Sequence, residues 1–454
     1  RCDRVPRPLE WRTDDQCAKG YAGPLCVACA TDYVLYEETC VECDGGSPLW
    51  MGILGLVGVA LVLFLAVLIV LMRTTKSKDH TEETRISRVT GLVSITISWL
   101  QILSSLTVTY KLPWPPSFTA YSKGTGAVVN LEIFSFLAIS NCALSVPFIN
   151  KFLLQVVTPP MFVTAVFLAW LVGKCHYGKK PGWRKVQRAR TEIATQFSIT
   201  VVQLLYPKLC TRTFQMLRCI DLGPRIGVLL EADFSKRCFD GVHAEYVPVA
   251  FVSVVVYLVD VPLATFAVIW YNRKRLHVPE VESLYGDLYR QYEDGWAFWE
   301  VCLQLQKCML TGAMVAIAPG SPVQLFTAML VCLAYLLLVL HAVPYKGHLE
   351  DRLAFLVALC LALSLTFGLV LIMDNTVEPV FKPTTVGIVL IVINTIPFAY
   401  GIHCTIQIVR FGANHAILRQ GAATITGRRQ EDIGVDGTGE EKTAGSLAAS
   451  ERQR

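Results

Sequence analysis

The strongest constraint on this chain is a series of apolar runs, each long enough to cross a bilayer as a helix. About 20 apolar residues span roughly 30 Å of hydrocarbon. In lipid, only helices and closed barrels satisfy every backbone N–H and C=O. About nine such runs are legible: 49–72, 89–110, 152–172, 193–214, 247–270, 298–318, 323–343, 353–373 and 385–408. Charged residues make up 17% of the chain and hydrophobic residues 53%. A soluble domain has about 25% charged residues. The fold class expected is therefore an all-α polytopic membrane protein of about nine transmembrane helices, with the lipid bilayer as its first partner. The segment 128–147 is apolar but carries Asn130, Glu132, Ser135, Ser140 and Asn141. It reads as an interfacial or re-entrant helix on the outer side, with a tenth span as the alternative.

The basic residues give an orientation. Cytoplasmic loops collect Lys and Arg. Such residues cluster after the first run (Arg73, Lys76, Lys78, Arg85, Arg88) and the third (Lys174 to Arg190). They recur after the fifth (Arg273, Lys274, Arg275), the seventh (Lys346, Arg352) and the ninth (Arg410, Arg419, Arg428, Arg429). The intervening loops are poorer or mixed. This predicts an extracellular N-terminus and a cytosolic C-terminus, in the plasma membrane. The chain opens on Arg1 with no signal-peptide pattern, so a fragment or processed form is expected.

Orientation also decides the cysteine chemistry. Six of the 16 Cys, namely Cys2, Cys17, Cys26, Cys29, Cys40 and Cys43, lie within the first 43 residues. A module of about 48 residues needs cross-links to fold. Its two Cys-x2-Cys pairs suit either four zinc thiolates or three disulfides. An extracellular position favours disulfides. Cys219 and Cys238 form a second disulfide site, and Cys142 and Cys210 an expected third. Cys302, Cys308, Cys332, Cys360 and Cys404 fall in spans as small apolar fillers. Three regions follow: 1–48, an extracellular cysteine-rich module; 49–411, the transmembrane domain; and 412–454, a polar, Gly- and Ala-rich cytosolic tail expected to be disordered.

No Walker loop, nucleophile elbow, zinc-protease helix or dinucleotide turn is present, so neither an enzyme, a cofactor, a metal site nor a nucleic-acid partner is expected. The polar residues inside spans are the candidate pathway: Asp260, Glu300, Gln304, Lys307 and Asn394. Glu300, Gln304 and Lys307 share one helix face at i, i+4 and i+7, with Gln306 turned away. At about 1.5 Å per residue, Asp260 and Lys307 reach similar depths, which predicts that they pair or line one path. The packing alternative puts Glu300 among headgroups, lets Lys307 snorkel, and has Asp260 cap the turn freed by Pro262. Tyr285, Leu288, Tyr289 and Tyr292 recur at helical spacing. They predict a helix lying on the inner membrane surface and leading into the sixth span.

Two resemblances follow from these motifs. The run CAKGYAGPLCVACATDYVLYEETCVEC resembles EGF-like or TNF-receptor-like cysteine-rich repeats. YRQYEDGWAFWEVCLQLQKCML, with Trp299-Glu300 and Lys307, and the later Pro344-Tyr345 resemble the polytopic region of protist and algal proteins with a TRP-like C-terminal domain. Those are distantly similar to fungal TRP-like and flavin-carrier proteins. The resemblance implies a cation channel or transporter. The alternatives are a receptor or adhesion protein with an extracellular ligand, and a lipid transporter or scramblase. A homo-oligomer is compatible with each.

Overall fold

A computed structural model describes residues 17–22, 26, 28–30, 33–36, 39–42, 80–129, 148–177, 183–224, 227–317, 320–374 and 381–434. Cys2, Cys43, Cys142, the run 49–72, nearly all of 128–147 and residues 435–454 lie outside them.

The helices are α1 (His80–Thr109), α2 (Pro116–Val129), α3 (Phe148–Tyr177) and α4 (Trp183–Leu217). Next come α5 (Gly241–Asn272) and α6 (Pro279–Tyr285). Helix α7 (299–316) joins Trp299–Cys308, a π turn Met309–Ala313 and Met314–Ala316. The last are α8 (Pro322–Ala342), α9 (His348–Met373) and α10 (Pro383–Gly434). Among the described residues, six helices are long and apolar enough to cross a membrane: α5, α8 and α9 in full, and the apolar parts of α1, α3 and α10. Their outward faces are apolar. Val157, Phe162 and Phe167 on α3, Phe251, Val255 and Leu263 on α5, and Leu330 and Leu337 on α8 are all exposed. Such belts are costly in water and suit lipid.

Contacts at the helix ends sort into two faces. On one stands a three-stranded antiparallel sheet, β5–β6–β7 (Cys219–Asp221, Val228–Leu230, Asp233–Arg237), closed by the disulfide Cys219–Cys238. Glu231 takes Arg218 at 2.7 Å and also Lys111, which ties the end of α1 to the sheet. The starts of α3 and α5 pack beside the end of α4 there, around Phe152, Met216 and Ala250. The N-terminal hairpins β1–β2 (Tyr21–Ala22, Ala28–Cys29) and β3–β4 (Tyr33–Tyr36, Thr39–Glu42) carry the disulfides Cys17–Cys26 and Cys29–Cys40. Strand β2 touches β7, so both cross-linked regions share this face. On the opposite face the end of α8 meets the segment before α7 through a Tyr292–Tyr345 bridge.

Helices α4 and α7 run between the same two faces without reaching that apolar length. Gln304, Gln306, Lys307, Thr211 and Thr213 are buried against neighbouring helices. A helix enclosed by others need not be apolar all round.

Two expectations are corrected here. Cys210 is a free buried thiol. Helix α10 continues to Gly434, so 412–434 of the tail are helical; residues 405–454 form a separate unit. The stretch after α1, at the disulfide face, holds a further helix. Helix α2 starts at that face and runs back along α1, with Ser122 Oγ donating to Leu103 O at 3.1 Å and Tyr121 Oη to Asn394 O at 3.2 Å. Pro116 and Phe148 both stand at the disulfide face.

Candidate functional site

Helix α7 carries the site because its charges have nowhere to go but inward. Glu300 and Lys307 are 4% and 6% exposed, and Gln304 2%. Gln306 is buried as well, so the polar stripe is wider than one face. Glu300 and Lys307 are the two charged side chains of this buried stripe. Spaced seven residues apart, they stack two turns apart on one helix. Asp260 is exposed on α5, and no ion pair joins it to Lys307. The expected Asp260–Lys307 pair is therefore not formed; the acid that shares the buried helix face with Lys307 is Glu300, two turns away. The error came from depth alone, which places two residues at one level without placing them on facing sides.

Glu300 is buried within the protein. Its Oε2 accepts the Tyr292 hydroxyl at 2.7 Å, and Gln291 Nε2 donates to Tyr292 Oη at 2.8 Å. Tyr292 in turn packs at a tilt against Tyr345, ring centroids 5.2 Å apart. Backbone bonds clamp this contact: Glu293 N–H to Pro344 O at 2.8 Å and Lys346 N–H to Gln291 O at 3.1 Å. The two motifs, Trp299-Glu300-x6-Lys307 and Pro344-Tyr345, are thus one structural unit. The segment before α7 is not a surface helix either. It breaks into α6 and short 3-10 turns at Gly286–Leu288 and Asp294–Trp296. Leu288, Tyr289 and Tyr292 point inward, and Tyr289 Oη donates to Leu276 O at 2.7 Å. Burial pushes the Tyr289 phenol up to about 12.

Above Lys307 the backbone is irregular in three helices at once. Helix α7 has the π turn Met309–Ala313, α5 the π turn Val254–Val259, and α4 has Pro207 inside it. Both π turns pack on α4. Thr211 Oγ1 donates to Thr311 O at 2.9 Å, Thr311 Oγ1 to Pro207 O at 3.3 Å and to Lys307 O at 2.7 Å, and Tyr206 Oη to Leu258 O at 3.4 Å. Side-chain hydroxyls thereby satisfy carbonyls that regular helices would have bonded. Gly312 lets this crossing close: a Cβ there would stand 2.8 Å from the Phe214 ring and 3.0 Å from Cys210 Cβ. Gln304 Nε2 bridges to Thr265 Oγ1 on α5 at 3.1 Å, while its Oε1 is buried without a partner.

Asn394 belongs to a different cluster. Its Nδ2 donates to Ser364 Oγ at 2.8 Å and to Leu390 O at 2.9 Å, which joins α10 to α9. Of the five candidate residues, the fold brings together Glu300, Gln304 and Lys307 and leaves Asp260 and Asn394 apart. Sequence reading missed Tyr292, Tyr345, Thr265 and Thr311 as partners. Only the aromatic run at 285–292 and the Pro-Tyr dipeptide hinted at them.

No protein-family profile matches the chain, and no solved structure does. One curated protein does, the Cysteine repeat modular protein A of Toxoplasma gondii, 23% identical over 158 residues. The match covers 32% of this chain and 5% of that protein, so the chain accounts for a small part of its relative.

Proposed function

We propose that the chain is an integral plasma-membrane protein of nine transmembrane helices that carries cations or another small charged solute. In this reading the disulfide face is extracellular and the C-terminus cytosolic. The observation that supports transport best is the convergence of two π turns and Pro207 beside the buried Glu300–Lys307 pair. Irregular backbone and ionisable side chains inside a membrane are costly, and broken helices commonly frame solute sites in transporters. π turns also gather at functional positions. A lysine in the path repels cations, so the pair suits gated or coupled carriage better than an open conduit. Glu300 and Lys307 stand two turns apart on one buried face, and an arriving cation competes with the Tyr292 hydroxyl for the Glu300 carboxylate. The resemblance to TRP-like membrane proteins favours the same class.

The second reading is a receptor or adhesion protein. It is favoured by the two disulfide-tied hairpins at the N-terminus and by a relative named for its cysteine repeats. Reconstitution of the full chain in liposomes separates the two. Cation flux and lipid scrambling are followed for the wild type, Glu300→Gln and Lys307→Met. Transport predicts flux in the wild type, changed about tenfold or more in either variant. Folded protein that passes neither ions nor lipid would sink the transport reading and leave the receptor.

A further inference from the structure

The residues that follow α5 form an exposed cationic turn: Arg273, Lys274 and Arg275 in succession, on the face opposite the disulfides. The turn is held from beneath. Leu276 is buried with Ile269, Leu288 and Tyr289, and its carbonyl accepts the Tyr289 hydroxyl at 2.7 Å. Backbone bonds from Arg275 N–H to Asn272 O at 2.7 Å and from Val278 N–H to Arg275 O at 3.0 Å fix its shape. The three cations are thus displayed on a preformed loop, with little ordering left to do on binding.

Their charge is not neutralised by the protein. No carboxylate pairs with Arg273, Lys274 or Arg275 among the described residues, while the nearby acids are already engaged. Asp294 meets His277 at 3.2 Å, Glu282 meets Arg290 at 3.2 Å, and Glu280 meets Arg188 at 3.0 Å. The cleft of about 450 Å³ between α4 and α6 is different in this respect. Its Arg188 is matched by Glu192 and Glu280, and hydrogen bonding to Arg188 holds the Glu280 carboxyl below the usual carboxylate range.

Aromatic rings set the depth of the turn. Arg273 stacks over Trp270 at 4.2 Å. Trp270 lies 5.7 Å from Phe266 and 6.2 Å from Phe298, and Phe266 lies 5.1 Å from Phe298. Trp270 is half exposed and Tyr271 almost fully so. Half-exposed Trp and Tyr at the end of an apolar helix belong at the headgroup level of a bilayer. Cations held at that level meet lipid phosphates first.

We infer that Arg273, Lys274 and Arg275, with Trp270 and Tyr271, form a binding site for an anionic phospholipid headgroup of the leaflet opposite the disulfide face. The site rests on the chain lying in a bilayer and is independent of whether it passes any solute. Because Phe298 immediately precedes α7, a lipid seated here also touches the root of the helix that carries Glu300 and Lys307.

The test uses the purified full chain, reconstituted in vesicles of phosphatidylcholine with 20% phosphatidylserine and then extracted. Retained phosphatidylserine relative to phosphatidylcholine is measured by mass spectrometry. A triple variant, Arg273→Gln with Lys274→Gln and Arg275→Gln, should lose enrichment by roughly fivefold per charge. The control Lys236→Gln with Arg237→Gln, on β7, should retain it. Bromine-labelled phosphatidylserine should quench the tryptophan fluorescence of the wild type more than bromine-labelled phosphatidylcholine, which needs no variant. Equal retention in the triple variant, or equal loss in the β7 control, overturns the site. Full displacement of the lipid by inorganic phosphate at equal concentration would assign the turn to a soluble anion instead. Absent cation flux with intact lipid enrichment would remove the transport reading and leave this one standing.

Discussion

Glu300 shows how one side chain can be expected and still be misplaced. Its charge inside an apolar run is legible at once, but its donor is not. The Tyr292 hydroxyl reaches it at 2.7 Å across a broken segment that sequence periodicity draws as one helix. Tyr292→Phe leaves a buried carboxylate without that hydrogen bond and should cost about 1–3 kcal/mol. Thermal unfolding in detergent checks it against Tyr271→Phe, which is exposed and should stay within about 0.5 kcal/mol. The charge assignment has its own test. Lys307→Met removes the positive charge two turns from the buried Glu300 and should cost about 1–2 kcal/mol, with part of the loss recovered when Glu300→Gln is added. Asp260→Asn should leave the unfolding temperature almost unchanged. An equal loss from Asp260→Asn and Lys307→Met would restore the pairing of Asp260 with Lys307.

Between elements, the decisive contacts are close crossings and tight turns. The π turn of α7 meets α4 where Gly312 leaves room for Phe214. Gly312→Ala overpacks that crossing and should cost about 1–3 kcal/mol. Adding Phe214→Leu should return part of it, as read by unfolding of the single and double variants. A Gly inside an apolar run announces a close approach without naming the neighbour. The turn after α8 is a second case. Val343 stands at φ 41°, a left-handed conformation that a β-branched residue adopts at a cost. Val343→Gly should therefore stabilise the chain by about 1 kcal/mol, measured by the same unfolding. That strain is tolerated because Pro344 O and Lys346 N–H are both bound to the segment before α7. Helix α2 went unread for an ordinary reason. Its sequence PSFTAYSKGTGAVV is too short and polar to look like a membrane element, and it gains its place from α1 and Asn394.

Over the whole molecule, the disulfide face is tied by Cys219–Cys238, which closes a loop with a sequence separation of 19. Paired Cys219→Ser and Cys238→Ser should lower stability by about 3 kcal/mol on a chain-entropy estimate. A reductant applied to the wild type should reproduce the loss, and the double variant should respond only through Cys17–Cys26 and Cys29–Cys40. The alternation of apolar runs with basic loops fixed in advance that the chain is a helical membrane-type architecture, that its cysteines divide into cross-linked and free groups, and that a few polar residues sit where polarity is costly. Those properties are local, since burial in lipid, backbone satisfaction and positive-charge bias act residue by residue along the sequence. Which charge meets which, which helix is enclosed and which faces lipid, and where the helices lose their regular hydrogen bonding came only from the tertiary structure. Rotation about a helix axis and the choice of neighbour depend on packing among distant segments, and no stretch of sequence encodes that by itself. Depth along the helices favoured Asp260 over Glu300 as the partner of Lys307, and folding turned Asp260 outward and Glu300 in.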